Sequence, residues 1–236
     1  MSVAVGTSCV REGFELAFSR ALRRYVWAPV TVSFMVIVLL LSVAFSYVQA
    51  GVTWTMGYVP ESLSFIETIL APLVYIIGVL VGGWMFGLVA AVVSSPFLGL
   101  LSAAAEREHF GDGPDFGEKF WASIGRTIAR EMRKLGYHLP RLALTLAVSL
   151  IPILSPIAPL IWLVFGGWMV AVQFVDYAAE NRGEPFAATL IALKRNRAAA
   201  LGFGATTSLL LALPLLNVFV IPAAVCGGAL LWRRLG

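Results

Sequence analysis

Charge is missing from most of this chain. Four stretches, Tyr25 to Pro60, Thr68 to Ala105, Leu142 to Val175 and Ala198 to Trp232, contain no Asp, Glu, Lys or Arg. Only 13% of the residues are charged against 59% hydrophobic, and with a mean hydropathy of +0.87 this excludes a water-soluble protein. Cysteine is nearly absent. Cys9 and Cys226 are too few and too far apart for a disulfide framework and read as free thiols. His109 and His138 lack the spacing of an HExxH metal motif, and the chain has no Gly-x-Ser-x-Gly, Walker A or CxxC element. These absences argue against an enzyme, a metal centre, a cofactor or a nucleotide-driven pump. What remains is passage of a small solute, driven by its gradient or by a coupled ion. The first twenty residues carry Glu12 and Glu15 and lack a compact apolar core with a cleavage site, so the first membrane helix is expected to direct insertion.

Each uncharged stretch is about 35 residues long and one crossing needs roughly 20, so each can cross a bilayer once or fold back as two shorter segments. The 17 basic residues exceed the 13 acidic ones and all lie outside these stretches. Placed there they face phospholipid headgroups, and no nucleic-acid role is assigned. Arg11, Arg20, Arg23 and Arg24 precede the first stretch, whereas Gly51 to Glu67 holds no Lys or Arg, so the N-terminus is expected to be cytoplasmic. Arg107, Lys119, Arg126, Arg130, Arg133, Lys134 and Arg141 after the second stretch return the chain to that side. Tyr47, Trp54 and Tyr58 suit an outer aromatic belt.

The expected architecture is an all-α integral membrane protein, a single membrane domain over 1–236. Two long transmembrane helices cover about 25–50 and 66–108, the second with Pro72 in its first turn and a kink at Pro96. Gly78 with Gly82, and Gly83 with Gly87, read as ordinary close-packing glycines. An interfacial amphipathic helix follows over 112–138, with Phe116, Phe120, Ile124, Ile128, Met132 and Leu135 recurring at steps of three or four. Shorter amphipathic segments are expected around Phe14 to Leu22 and Phe186 to Arg197. Prolines then break the last two stretches, at Pro152, Pro156 and Pro159 and at Pro214 to Asn217, with Pro222 soon after. Their arms fall short of a full crossing, so 140–177 and 197–233 read as half-membrane, re-entrant helical hairpins. Six ordinary spanning helices with uncharged outer turns remain the alternative. Turns at membrane depth must pack on protein or border an aqueous cavity, which makes them candidate pore elements.

Arg23 and Arg24 stand where the first long helix begins. An oxyanion there would meet two forked guanidinium groups together with free backbone amides, although such a pair also serves as a lipid-facing anchor. Glu106, Arg107, Arg130, Glu131, Gln173, Asp176 and Asn217 are candidates for a charge network or pore lining. Thr206, Thr207 and Ser208 offer hydroxyls, which in membrane helices commonly bond to backbone carbonyls instead.

The run Trp168-Met169-Val170-Ala171-Val172-Gln173-Phe174-Val175-Asp176-Tyr177, with Asn181 and Glu184-Pro185-Phe186, resembles the CysZ sulfate permease family. So do Pro214 to Phe219, Pro222 and Ala224 to Gly227, and Leu22-Arg23-Arg24, Ser95-Pro96-Phe97, Arg130-Glu131 and Tyr137 to Arg141 fall in matching order. The resemblance covers nearly the whole chain. It implies sulfate uptake across the bacterial inner membrane for cysteine biosynthesis, through a homo-oligomer with two spanning helices and two half-membrane hairpins. It also implies sulfate binding at Leu22, Arg23 and Arg24, with Ala21 in place of the family's glycine, and Glu106 as the matched acid beside Ala103. A mostly uncharged interior suits hydrated, channel-like passage of the dianion. A proton-coupled oxyanion symporter and a membrane scaffold without transport are the competing readings.

Overall fold

The computed structural model describes residues 1–57, 72–73, 76–78, 97–114, 120–213 and 216–236. Most of the expected second span, with Gly82, Gly83, Gly87 and Pro96, lies outside them, as do Tyr58, Phe116, Lys119 and Pro214. The described residues are helical throughout, with no strand among them. The helices are α1 (Val3–Ala17), α2 (Arg23–Met56), α3 (97–110), α4 (Phe120–Ser149), α5 (Ala158–Asn181), α6 (Phe186–Arg195), α7 (Arg197–Leu211) and α8 (Asn217–Leu235). By contacts the chain divides into two compact units, residues 1–29 with 95–236, and residues 30–94.

In the smaller unit the described part of α2 exposes Met35, Leu39, Phe45, Tyr47 and Trp54. Its hydroxyls turn back on the helix: Ser42 Oγ donates to the Val38 carbonyl at 2.7 Å, Ser46 Oγ to Ser42 at 2.9 Å and Thr53 Oγ1 to Gln49 at 3.0 Å. Such bonds spare a lipid-facing helix unpaired polar groups.

In the larger unit α1 packs chiefly on α7 and α8, and α5 packs on α7 and α8 from the other side. Small residues set these distances. A Cβ at Gly13 would stand 2.6 Å from the Gly227 nitrogen, and one at Gly167 2.9 Å from the Ala205 nitrogen. Side chains there would force the helices apart. Phe203, Val225, Leu230 and Leu231 fill the remaining core.

The sequence divides 112–138 from 140–177, yet α4 runs unbroken from Phe120 to Ser149 with Pro140 inside it. Pro140 stands exposed within it, a placement membrane helices tolerate. The chain breaks, as the prolines there predict, at the 3-10 turn Pro152–Ile157. Pro159 then opens α5, where a missing amide costs nothing. α5 continues six residues past the uncharged stretch and, with α4 beginning far upstream of Leu142, the arms are longer than their apolar parts. Among the described residues α5 is the helix long and apolar enough to cross a membrane.

α5 ends in a glycine reversal. Gly183 adopts φ 73°, its amide donates to the Glu180 carbonyl at 2.9 Å, and the Glu184 amide donates to Ala179 at 3.0 Å. This is the Schellman pairing, with glycine at the left-handed position. It turns the chain so that α6 lies back along the polar end of α5.

Candidate functional site

α4 and α5 each carry polar residues at helical spacing, and the fold sets the two stripes face to face. On α4 the stripe is Thr127, Arg130, Glu131 and Lys134; on α5 it is Gln173, Asp176, Tyr177 and Glu180. Asp176, fully buried, accepts Arg130 Nε at 2.8 Å and Nη2 at 2.6 Å, and Thr189 Oγ1 of α6 at 2.7 Å. Lys134, also buried, lies 3.2 Å from Asp176 Oδ2, donates to Glu131 Oε1 at 2.8 Å and sits over the Tyr177 ring. Thr127 Oγ1 donates to Glu180 Oε1 at 2.9 Å, and Arg130 Nη1 donates to the Glu184 carbonyl at 2.5 Å. The glycine reversal therefore supplies the last acceptor. Gln173 Nε2 closes the cluster through Tyr177 Oη at 3.0 Å and Glu131 Oε2 at 3.4 Å.

The bidentate Arg130–Asp176 pair is the strong form of ionic hydrogen bond. Two cations face three carboxylates, Glu131, Asp176 and Glu180, so no positive charge in the cluster is left for an added anion. Burial makes the arrangement costly to break by halves, because a stranded charge keeps its full desolvation penalty.

A second contact ties α3 to the end of α5. Arg182 donates from Nε at 2.9 Å and Nη2 at 2.5 Å to Glu106 Oε2, and Asn181 Nδ2 donates to the Gly99 carbonyl at 2.8 Å. Glu106 is fully buried and its Oε1 has no hydrogen-bond partner among the described residues. Arg107 turns away and donates from Nη2 to the Pro114 carbonyl at 3.1 Å. A third contact joins the ends of α1 and α8, where Arg234 Nη2 donates to Glu12 Oε2 at 2.5 Å and Nη1 to Oε1 at 3.2 Å. That bond holds the Glu12 carboxyl below its ordinary range against a smaller opposing effect of burial. Burial pushes the adjoining Cys9 thiol up to about 11, so it stays protonated and unreactive at neutral pH.

The sequence-expected candidates thus separate. Arg130, Glu131, Gln173 and Asp176 come together, Glu106 pairs elsewhere, and Asn217 opens α8 with its Oδ1 buried and unpartnered among the described residues. Thr206 Oγ1 donates to the Gly202 carbonyl at 2.8 Å. Leu22 is buried, whereas Arg23 and Arg24 are exposed. Arg24 reaches only its neighbour, donating from Nη2 to Tyr25 Oη at 3.2 Å, and Arg23 makes no side-chain hydrogen bond or ion pair with the described residues. The expected free amides are mostly taken. Those of Leu22 and Arg23 donate to the Ser19 carbonyl, and those of Tyr25 and Val26 to Leu22, because a turn over 19–22 runs directly into α2.

Lys134, Glu180, Thr127, Thr189 and Arg182 were not anticipated as network members. The signal for the first three was their spacing of three or four from Arg130 and Asp176. Thr189 and Arg182 had none, since their partners lie on other helices.

A family model described as sulfate transporter CysZ/etoposide-induced protein 2.4 matches residues 9–222. The chain is 38% identical over 237 residues to a sulfate transporter CysZ of Pseudomonas aeruginosa, covering 99% of this chain and 96% of that protein. It is 37% identical over 236 residues to the protein of the same name from Pseudomonas fluorescens, covering 98% and 94%. With that of Pseudomonas syringae pv. tomato it shares 36% over 232 residues, covering 97% and 92%.

Proposed function

Because the chain belongs to the sulfate transporter CysZ/etoposide-induced protein 2.4 family, we propose that it is a membrane protein that carries sulfate across the bacterial inner membrane. The observation that carries this reading is the full-length relation to proteins named as sulfate transporters, which are transporters and not enzymes. In this reading Leu22, Arg23 and Arg24 form the sulfate capture site. The pair is supported by its exposure and by the saturation of the buried network, whose cations already face carboxylates. Leu22 anchors the start of α2 in the core while the two guanidinium groups stay exposed where an oxyanion can meet them. With most local amides committed, the side chains supply the binding.

A dianion loses tens of kcal/mol if stripped of water without compensation, so capture by arginines followed by hydrated, channel-like passage suits a chain with little unpaired charge. Re-entrant placement of the α4–α5 and α7–α8 hairpins follows the family resemblance, and the basic residues at both ends of each, Arg141 with Arg182 and Arg197 with Arg233 and Arg234, are consistent with it because they put both ends of a hairpin on one side. Assembly as a homo-oligomer rests on the family resemblance.

Flux of radiolabelled sulfate into liposomes holding the purified protein tests this directly. Replacing Arg23 and Arg24 together with Ala should weaken sulfate binding about tenfold or more and cut flux with it, while Lys at both positions restores only part. Parent-like affinity and flux in the folded Ala variant would move the site elsewhere. A parent protein that inserts but passes no sulfate would favour the scaffold reading.

A further inference from the structure

Beyond the charge network, two tryptophans of α5 reach α4. Trp168 Nε1 donates to Tyr137 Oη at 3.0 Å, and Trp162 Nε1 donates to Ser149 Oγ at 3.0 Å. Beside these rungs runs an open groove of about 540 Å³, lined by Leu144, Leu160, Val164, Phe165 and Met169, with Arg141 as its one charged residue. Leu144, Leu160 and Val164 are 65%, 61% and 48% exposed, so the groove lies on the outside of its unit. Arg141 immediately precedes the uncharged stretch that begins at Leu142. The groove therefore starts at a charge and continues along apolar helix.

The guanidinium of Arg141 is held in place. Nη1 donates to the Tyr137 carbonyl at 2.7 Å, and Cζ lies 3.5 Å from the centre of the Tyr137 ring. With Nη1 committed, the Nε and Nη2 edge points to no acceptor among the described residues. That edge presents two parallel N–H donors, the geometry a phosphodiester accepts, and fixing it beforehand lowers the ordering cost of binding. An adjoining apolar groove matches a hydrocarbon chain. The two features together match the two halves of a phospholipid.

We propose that the α4–α5 groove binds one anionic phospholipid, its phosphate on the Nε–Nη2 edge of Arg141 and an acyl chain laid along Leu160, Val164 and Phe165. A zwitterionic headgroup would bring an ammonium toward the guanidinium, so phosphatidylglycerol is preferred over phosphatidylethanolamine.

The full-length protein, equilibrated with equal amounts of these two lipids in detergent and analysed by native mass spectrometry, should retain one phosphatidylglycerol per chain. Arg141→Gln should lower that retention about tenfold, the effect of losing a charge-assisted hydrogen bond. Val164→Trp, which fills the groove from an exposed position and leaves Arg141 intact, should lower it comparably. Unchanged retention in either variant, or equal retention of both lipids by the parent, overturns the proposal. So does ready disulfide linkage between two chains carrying Val164→Cys, which would make the groove a contact between copies.

Discussion

Asp176 holds together more of the molecule than any other single side chain described. It joins α4 through Arg130 and Lys134 and α6 through Thr189, all from one buried carboxylate. Replacing it with Leu takes the bidentate partner from buried Arg130 and leaves Lys134 with Glu131 alone, and the expected loss is about 3 kcal/mol or more of stability, seen as a lower thermal unfolding midpoint in detergent. Adding Arg130→Met should recover part of that loss, because the second substitution removes the buried cation that has lost its bidentate partner. If the double variant is as unstable as the sum of the singles, the two residues are not coupled and the network is only adjacency. At this scale the sequence was half informative. The acid and the arginine stood out as charges near membrane ends, while their pairing across 46 positions needed the packed hairpin.

Among the elements, α4 shows that an amphipathic pattern gives the helix without giving its partners. Its periodicity is visible in the sequence, and an interfacial helix would sink its apolar side into lipid with the charged side in water. In the structure part of the charged side is packed, with Arg130 and Lys134 buried on α5, while Arg126 and Arg133 stay exposed together with Ile128, Met132, Leu139 and Leu144. A membrane protein gains little by burying apolar faces against each other when lipid is equally apolar, so polar contacts hold the helices together. The α1–α8 junction follows the same rule through Glu12 and Arg234. Since the folded protein holds the Glu12 carboxyl below its ordinary range, this pair stabilises above the unfolded value of about 4.3 and is lost as pH falls through the lower folded value. Acid unfolding of the solubilised protein should therefore steepen below that unfolded value, and Glu12→Gln should flatten this limb. An identical pH profile in the variant would show that the pair contributes nothing.

For the whole molecule the topology turns on which side each hairpin tip reaches. Short arms favoured re-entrant turns, but α5 at 24 residues is long enough to cross, so length no longer separates the two topologies. The basic residues flanking both hairpins still place their ends on one side. Cysteines introduced at Leu154 and Leu216 should resist an impermeant thiol reagent added from the periplasmic side, while one at Ser62 should react. Cys9 and Cys226 are buried and should not interfere. Strong external labelling at both hairpin positions would instead establish six spanning helices.

The sequence by itself determined the solvent, the helical class and the break at Pro152 to Pro159, because an uncharged stretch and a cluster of three prolines act locally and leave few alternatives, whereas single prolines did not: α8 runs through Pro222 as α4 runs through Pro140. It also carried the family, since long runs such as Trp168 to Tyr177 survive in order along the chain. Only the tertiary structure decided that α4 is one helix through Pro140, that Thr189 and Arg182 complete charge contacts, and that Ser19 and Leu22 take the amides at the start of α2. Each of these depends on which helix lies against which, and a buried charge shows its partner only after the backbone has brought both sides together.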